Sequence, residues 1–245
     1  MSKSESSPPI AMVSGSSGGI GEAICRQLID QAYRVVGAAR SEDRLQRLAA
    51  ELGDGFYPLL LDVTDSASVA GVPQALPQGF RDVEVLVNNA GHDIGGRRLF
   101  DEGSAEQWTD IIETNVQGTI RLTRALIDGM LARGSGHIVN MGSITGIKPY
   151  ATMAAYVSSK YAVHGFSETL RLDYAGRGIR VTEIMPGLVR TGFAQQRLGD
   201  AQQAQEFYDS AEQCLLPEDV ARTVLYALRQ PKHVEIAQLV VLPVR

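Results

Sequence analysis

Seven short runs of apolar, largely β-branched residues recur along the chain, at positions 10–14, 33–39, 56–62, 83–89, 137–143, 180–186 and 238–244. They are near-continuously hydrophobic and do not alternate between apolar and polar, which is the mark of strands covered on both faces. The runs therefore predict a parallel sheet. Between them lie longer stretches with helical spacing of their apolar positions, at 19–31, 43–52, 105–133, 155–176 and 217–230. Strand and helix alternate, and that order specifies right-handed crossover units in an α/β, doubly wound parallel sheet of about seven strands with helices on both faces. The pattern fails at about 190–216, where Gln, Asp and Ala crowd an irregular segment. This segment reads as a mobile, partly helical insert on the substrate side of the sheet.

Composition narrows the picture. A length of 245 residues suits one large α/β domain and is short for two, so 10–245 is expected to be a single dinucleotide-binding catalytic domain. Residues 1–9, MSKSESSPP, have the Ser/Pro content of a disordered tail and not of a signal peptide. A net charge of -5 leaves no basic footprint for nucleic acid. No run of some 18 apolar residues offers a membrane span. The two cysteines, Cys25 and Cys214, fall in expected helices without metal-ligand spacing, so they read as buried or incidental thiols and no metal is expected. A protein of the reducing cytoplasm follows.

Candidate chemistry sits at two places. Between the first strand and first helix lies Ser14-Gly15-Ser16-Ser17-Gly18-Gly19-Ile20-Gly21. Glycines there permit a tight turn, a close approach of backbone to a pyrophosphate, and a helix N-terminus aimed at its charge. Gly15, Gly19 and Gly21 are the key positions, and the missing Lys-Ser/Thr excludes a triphosphate-binding P-loop. The second place is the stretch AAYVSSKYAVHGF, with Tyr156 and Lys160 one helical turn apart and Ser143 upstream in MGS. Side chains at i and i+4 share a helix face, so a phenol and an ammonium meet in one pocket. A nearby positive charge favours the phenolate and is expected to lower its pKa.

Cofactor preference is read at the end of the second strand, Gly37-Ala38-Ala39-Arg40-Ser41. An acidic residue there would take the ribose 2′-hydroxyl of NAD, but the position is Ala39. Arg40 is placed to pair with a 2′-phosphate, with Ser41 adding a donor. NADP(H) is the expected cofactor.

These segments resemble the short-chain dehydrogenases/reductases over nearly the whole chain, from about 10 to 244. The resemblance is carried by SGSSGGIG at 14–21, LDVTD at 61–65, NNAG at 88–91, Asn115 in ETNVQGT, Ser143 in MGS, Tyr156, Lys160, and PGLVRTG at 186–192. Ser14 stands where the family usually has Thr, which keeps the hydroxyl. The resemblance implies a Rossmann-type fold and a Ser143–Tyr156–Lys160–Asn115 tetrad. Tyr156 exchanges the proton, Lys160 lowers its pKa and holds the nicotinamide ribose, Ser143 binds the carbonyl oxygen, and Asn115 holds a water linking Lys160 to solvent. It also implies cofactor contacts from Ser17 and Ile20 in the glycine turn, from Asp62 and Val63 to the adenine, and from Asn88 and Ala90, with Asn89 and Gly91, along the riboses. Pro186, Gly187, Val189 and Thr191 would embrace the carboxamide.

Substrate residues implied by family position are His92 with Asp93, Ile144, Thr145, Tyr150, Met153, Leu188 and the insert. Arg197, or the Arg97–Arg98 pair, could hold an anion bidentately. The C-terminal third most resembles the branch of NADP-dependent 3-hydroxy acid and serine-type dehydrogenases and sulfoacetaldehyde reductases, whose substrates are small and often anionic. Other readings are a β-ketoacyl thioester reductase, a broad ketone or sugar reductase, and a non-catalytic NADP(H) sensor. A homotetramer or homodimer is implied, built on the helices carrying Asn115 and Tyr156 and on the last strand.

Overall fold

The computed structural model describes residues 7–95, 97–211 and 213–244; positions 1–6 of the expected tail lie outside them. The chain runs β1 (Ile10–Ser14), α1 (Gly19–Asp30), β2 (Arg34–Ala39), α2 (Glu42–Leu52), β3 (Phe56–Leu60), α3 (Ser66–Ala70), α4 (Val72–Ala75), β4 (Val83–Asn88), α5 (Ala105–Ile112) and α6 (Thr119–Arg133). It continues β5 (Gly136–Met141), α7 (Ala154–Asp173), β6 (Ile179–Pro186), α8 (Phe193–Leu198), α9 (Ala201–Asp209), α10 (Pro217–Leu228) and β7 (Gln238–Val241). All seven strands pair in parallel in the order β3-β2-β1-β4-β5-β6-β7. The fold is a Rossmann-like α/β sheet covered by helices on both sides.

Period-two alternation within the buried strands divides the core. Ala11 and Val13 face the layer that includes Ile24 and Leu28 of α1 and Val220 and Val224 of α10. Met12 faces the opposite layer, with Leu122, Leu126 and Met130 of α6 and Leu170 of α7. Local signals set the helix ends. Asp65 caps α3 by accepting from the backbone N–H groups of Ala67 and Ser68, and Ser104 with Gln107 forms a reciprocal box at the start of α5. Gly134, with φ of 61°, stops α6 in a left-handed turn.

Three expectations need correction. The stretch 105–133 is not one helix: a π-helical turn, Glu113–Gly118, separates α5 from α6. That turn carries Asn115, and wide turns of this kind mark places where a side chain is re-aimed. Its last residue, Gly118, approaches Val63 so closely that a Cβ would stand 2.6 Å from the valine Cγ2. Cys214 lies outside any helix, in the return from α9, because the insert ends in an isolated parallel bridge between Val189 and Leu215. The short helices α3 and α4 were not foreseen, since neither is long enough to show a period.

The insert contains α8 and α9, whose Ala194, Ala204 and Tyr208 form a small core of their own with Leu188, Leu198 and Phe207 packed on it. Its two ends are fastened together, Arg190 N donating to Leu215 O at 2.8 Å and Leu215 N to Leu188 O at 2.9 Å. Among the described residues no helix is long and apolar enough to cross a membrane.

Candidate active site

A cavity of about 740 Å³ opens along the carboxyl ends of the strands, where the strand order reverses between β1 and β4. Open α/β sheets place ligands at such a reversal. One wall is the turn from β1 into α1. Gly15 and Gly19 take φ of 67° and 55°, which side chains disfavour, and a Cβ on Gly15 would sit 2.9 Å from Asn89 Nδ2. Ser17 and Ile20 also line the cavity. Gly21 does not: it faces the Gly15 carbonyl, and a Cβ would collide with it, so this glycine lets helix and turn close together and makes no wall.

The Ser14 hydroxyl ties β1 to β4, accepting from Asn89 N and Ala90 N at 3.0 Å each and donating to Val87 O. Asn89 returns the tie through Nδ2 to the Ser14 and Gly15 carbonyls at 3.0 and 3.2 Å. Asn89, Ala90 and Gly91 line the cavity, as do Asp62 and Val63. Asn88 does not. Its amide is buried against α6, donating to Thr123 Oγ1 and Asn140 Oδ1 at 2.9 Å each, because strand alternation turns it to the helix face.

At the end beyond β2, Arg40 and Ser41 line the cavity together with Arg44, which the sequence reading missed. Arg44 lies in the first turn of α2, on the same side as the exposed Arg40. Two guanidinium groups beside a serine, with Ala39 where an acid would stand, suit a doubly charged phosphate. The glycine cradle and this basic end fit a dinucleotide bearing a 2′-phosphate. At the other end Pro186, Gly187, Val189 and Thr191 form the wall that follows β6.

Ser143 follows β5, and its Oγ accepts from Thr145 N at 3.1 Å, which leaves the hydroxyl hydrogen to donate toward Tyr156. Tyr156, in the first turn of α7, lines the cavity with its ring edge-on to Phe193 of α8 at 5.8 Å. Burial pushes its phenol up to about 12; Arg197 and a hydrogen bond with Ser143 pull it down, and Asp93 adds to the rise. The expected acidification is not found: burial sets the direction, and Lys160 is not among the groups acting on the phenol. Lys160 Nζ sits 5.6 Å from the Tyr156 ring centroid and donates to Met141 O at 2.7 Å. Burial lowers its ammonium to about 8, with Glu183 acting in the opposite direction.

Two other expected site residues already have their side chains engaged. Asn115 lies outside the cavity lining, with its side chain fully engaged: Oδ1 accepts from His92 N at 2.8 Å, and Nδ2 donates to His92 O and Ser159 Oγ at 3.0 Å each. It pins the loop after β4 to α7. The His92 ring is equally occupied. Nδ1 accepts from Ile94 N at 3.2 Å, which places the hydrogen on Nε2, 3.1 Å from Thr114 Oγ1. Burial lowers its pKa, and this neutral ring has no nitrogen left for a substrate.

Ile144, Thr145, Tyr150, Met153 and Leu188 also line the cavity. Arg197, from α8, lies 2.8 Å from Asp93 Oδ2, with both side chains buried. The alignment is poor for a hydrogen bond, so Arg197 Nε and Asp93 Oδ2 both lack one. Burial pushes the Asp93 carboxyl up to about 6, against Arg197 and Arg97. Arg97 is at the cavity mouth with its guanidinium 5.3 Å from the Phe207 ring centroid, while Arg98 is exposed away from the lining.

The profile of the family described as short chain dehydrogenase matches residues 9–202. A probable NADP-dependent dehydrogenase of Haemophilus influenzae is 39% identical over 235 residues, covering 95% of this chain and 92% of the relative. The NADP-dependent 3-hydroxy acid dehydrogenase YdfG of Escherichia coli (strain K12) is 40% identical over 237 residues, with coverage of 96% and 95%. Among solved structures, the closed form of a serine dehydrogenase complexed with NADP+ superposes with a TM-score of 0.92 at 39% identity, over 95% of this chain and 94% of the other.

Proposed function

Because the chain belongs to the short-chain dehydrogenase family, we propose that it transfers hydride between NADP(H) and a small hydroxy acid or its oxo counterpart, within one catalytic domain spanning 10–245. The observation that carries this reading is the pairing of two ends of one cavity: a phenol and a serine hydroxyl at the closed end, and Arg40, Ser41 and Arg44 beyond the glycine turn at the other. The chain's similarity to an NADP-dependent 3-hydroxy acid dehydrogenase and to a serine dehydrogenase supports it.

When bound, NADP(H) donates or accepts the hydride. The glycine turn and the two arginines hold its phosphates, and Asp62, Val63, Asn89, Ala90 and Gly91 its sugars and base. Ser143 donates its hydroxyl hydrogen to the substrate oxygen and stabilises the charge that develops there. Tyr156 carries the proton. A phenol held at about 12 is protonated at neutral pH, the form that reduction of a carbonyl requires. Lys160 supplies a positive charge beside it, and Asn115 fixes the wall through Ser159 and His92. On the substrate side, one carboxylate, Asp93, faces two guanidinium groups, Arg97 and Arg197. That leaves positive charge in excess, which suits an anionic substrate.

The reading extends to a homotetramer or homodimer in the cytoplasm. Ile120 and Tyr161 on α6 and α7, and Val240, Leu242 and Val244 at the C-terminus, are exposed apolar side chains of the kind that subunit interfaces cover. The test is NADPH oxidation by the purified protein against small aldehydes, 3-oxo acids and acyl thioesters, with Tyr156→Phe alongside. The expected result is turnover of a small oxo acid, with kcat reduced about 10³-fold in the variant and NADPH binding retained. Preference for the acyl thioester would replace the substrate class, and near-normal turnover by Tyr156→Phe would overturn the mechanism.

A further inference from the structure

Behind the cavity, four strands present one polar row. Asn88, Asn140, Glu183 and Gln238 stand opposite one another on β4, β5, β6 and β7. Residues in register on a parallel sheet project from the same face. Here that face is covered by α6 and α7, whose Thr123, Ser167, His164 and Glu168 are the partners of the row. Three members are neutral amides. The fourth, Glu183, is an acid whose side chain is 0% exposed.

Its two oxygens differ. Oε2 lies 2.8 Å from His164 Nδ1, while Oε1 is buried without a hydrogen-bond partner. Oε1 abuts Gly142, where any Cβ would collide with it. Gly142 follows Met141, and the Met141 carbonyl is the acceptor for Lys160 Nζ. The orphaned oxygen is therefore beside the peptide that holds the lysine. Tyr156, Lys160, His164 and Glu168 recur every four residues, so they rise along one face of α7. Among the described residues no carboxylate forms an ion pair with Lys160 within 4 Å, yet its ammonium is buried, and a buried charge without compensation is costly.

We propose that Glu183, held in place by His164, is a positioning residue for the reaction: the counter-charge that keeps Lys160 in its ammonium form beside Tyr156. The inference rests on Lys160 serving the site as described above. Among the described residues, the charged or titratable groups that face the pair come from α7. Lys160, His164 and Arg171 bear on Glu183, and Glu168 and Glu183 bear on His164, with the neutral Asn140 and Gln238 on the adjoining strands. Burial raises the Glu183 carboxyl, and His164, Lys160 and Arg171 oppose that rise.

Removing the carboxylate leaves burial unopposed at Lys160, which then loses its proton at lower pH. The chain has only four lysines, Lys3, Lys148, Lys160 and Lys232, so 13Cε-lysine NMR can follow Lys160 directly in the cofactor-free protein, with assignment by Lys160→Arg. The wild type is expected to titrate near 8, and Glu183→Gln about one unit lower. His164→Gln, which leaves Glu183 more readily protonated, is expected to move Lys160 the same way by less, and Glu183→Asp to restore most of the shift. In the NADPH-dependent reduction, the alkaline limb of kcat should move down by the same interval. An unchanged Lys160 titration in folded Glu183→Gln overturns the proposal; if that variant does not fold, an unchanged titration in His164→Gln does so. The NMR result is independent of turnover, so failure of the oxidoreductase reading would show as absent activity with the titration shift intact.

Discussion

Arg40 and Arg44 flank Ser41 at the far end of the cavity, and their work is separable from the chemistry at Tyr156. A charge-assisted hydrogen bond to phosphate contributes about 1.5–3 kcal/mol. Arg40→Ala with Arg44→Ala is therefore expected to raise the KM for NADPH roughly ten- to a hundredfold or more and to leave that for NADH nearly unchanged. Parallel kinetics with the two cofactors check this, and an equal loss with both would remove the phosphate role. Arg40 was legible because the position before it holds Ala39 and no acid. Arg44 was missed, although its signal was present: it lies four residues beyond Arg40, in the first turn of a helix. The sequence offers His92 as a substrate contact because its partner Thr114 is distant along the chain and reaches it only after folding, and pairing decides what a polar side chain has left to offer.

At the scale of elements, the π-helical turn does what the sequence assigned to a straight helix interior. It brings Asn115 between the loop after β4 and α7, where three hydrogen bonds lock them together. Each such bond is worth about 0.5–1.5 kcal/mol, and the truncated site leaves buried partners unsatisfied. Asn115→Ala is expected to lower stability by about 2–4 kcal/mol. Calorimetry should show this as a Tm lower by about 5–10 °C, and a Tm within a degree of wild type would contradict the locking role. Helical periodicity revealed α5 and α6 but not the break, because a single added residue in one turn hardly disturbs an apolar stripe. Conversely, the four-residue spacing of Tyr156 and Lys160 survived intact, since α7 continues unbroken from Ala154 to Asp173.

Across the whole molecule, the reversal of strand order beside β1 makes the first crossover and the loops after β4, β5 and β6 converge on one crevice. A ligand bridging all of them binds the folded state alone, and at a hundred times its Kd it stabilises by about 2.7 kcal/mol. NADP+ should then raise Tm by about 5–10 °C in a thermal melt, and NAD+ at the same concentration by much less. Equal protection by both would argue against the 2′-phosphate assignment. The five inner strands were visible in the sequence to within a few residues because burial on both faces demands unbroken apolar runs, as at Met12, Val36, Leu86 and Ile138, whereas the edge strands β3 and β7 are only partly covered. Residues 190–214 resisted that reading, being amphipathic only against a small core of their own. Because the Val189–Leu215 bridge clasps the two ends of this excursion at the rim, its interior can lengthen, shorten or change composition without disturbing the sheet beneath. Under the proposed function, substrate preference can therefore diversify in this excursion as an exchangeable cassette beyond Thr191 and Phe193, while the glycine turn at the opposite wall stays as it is.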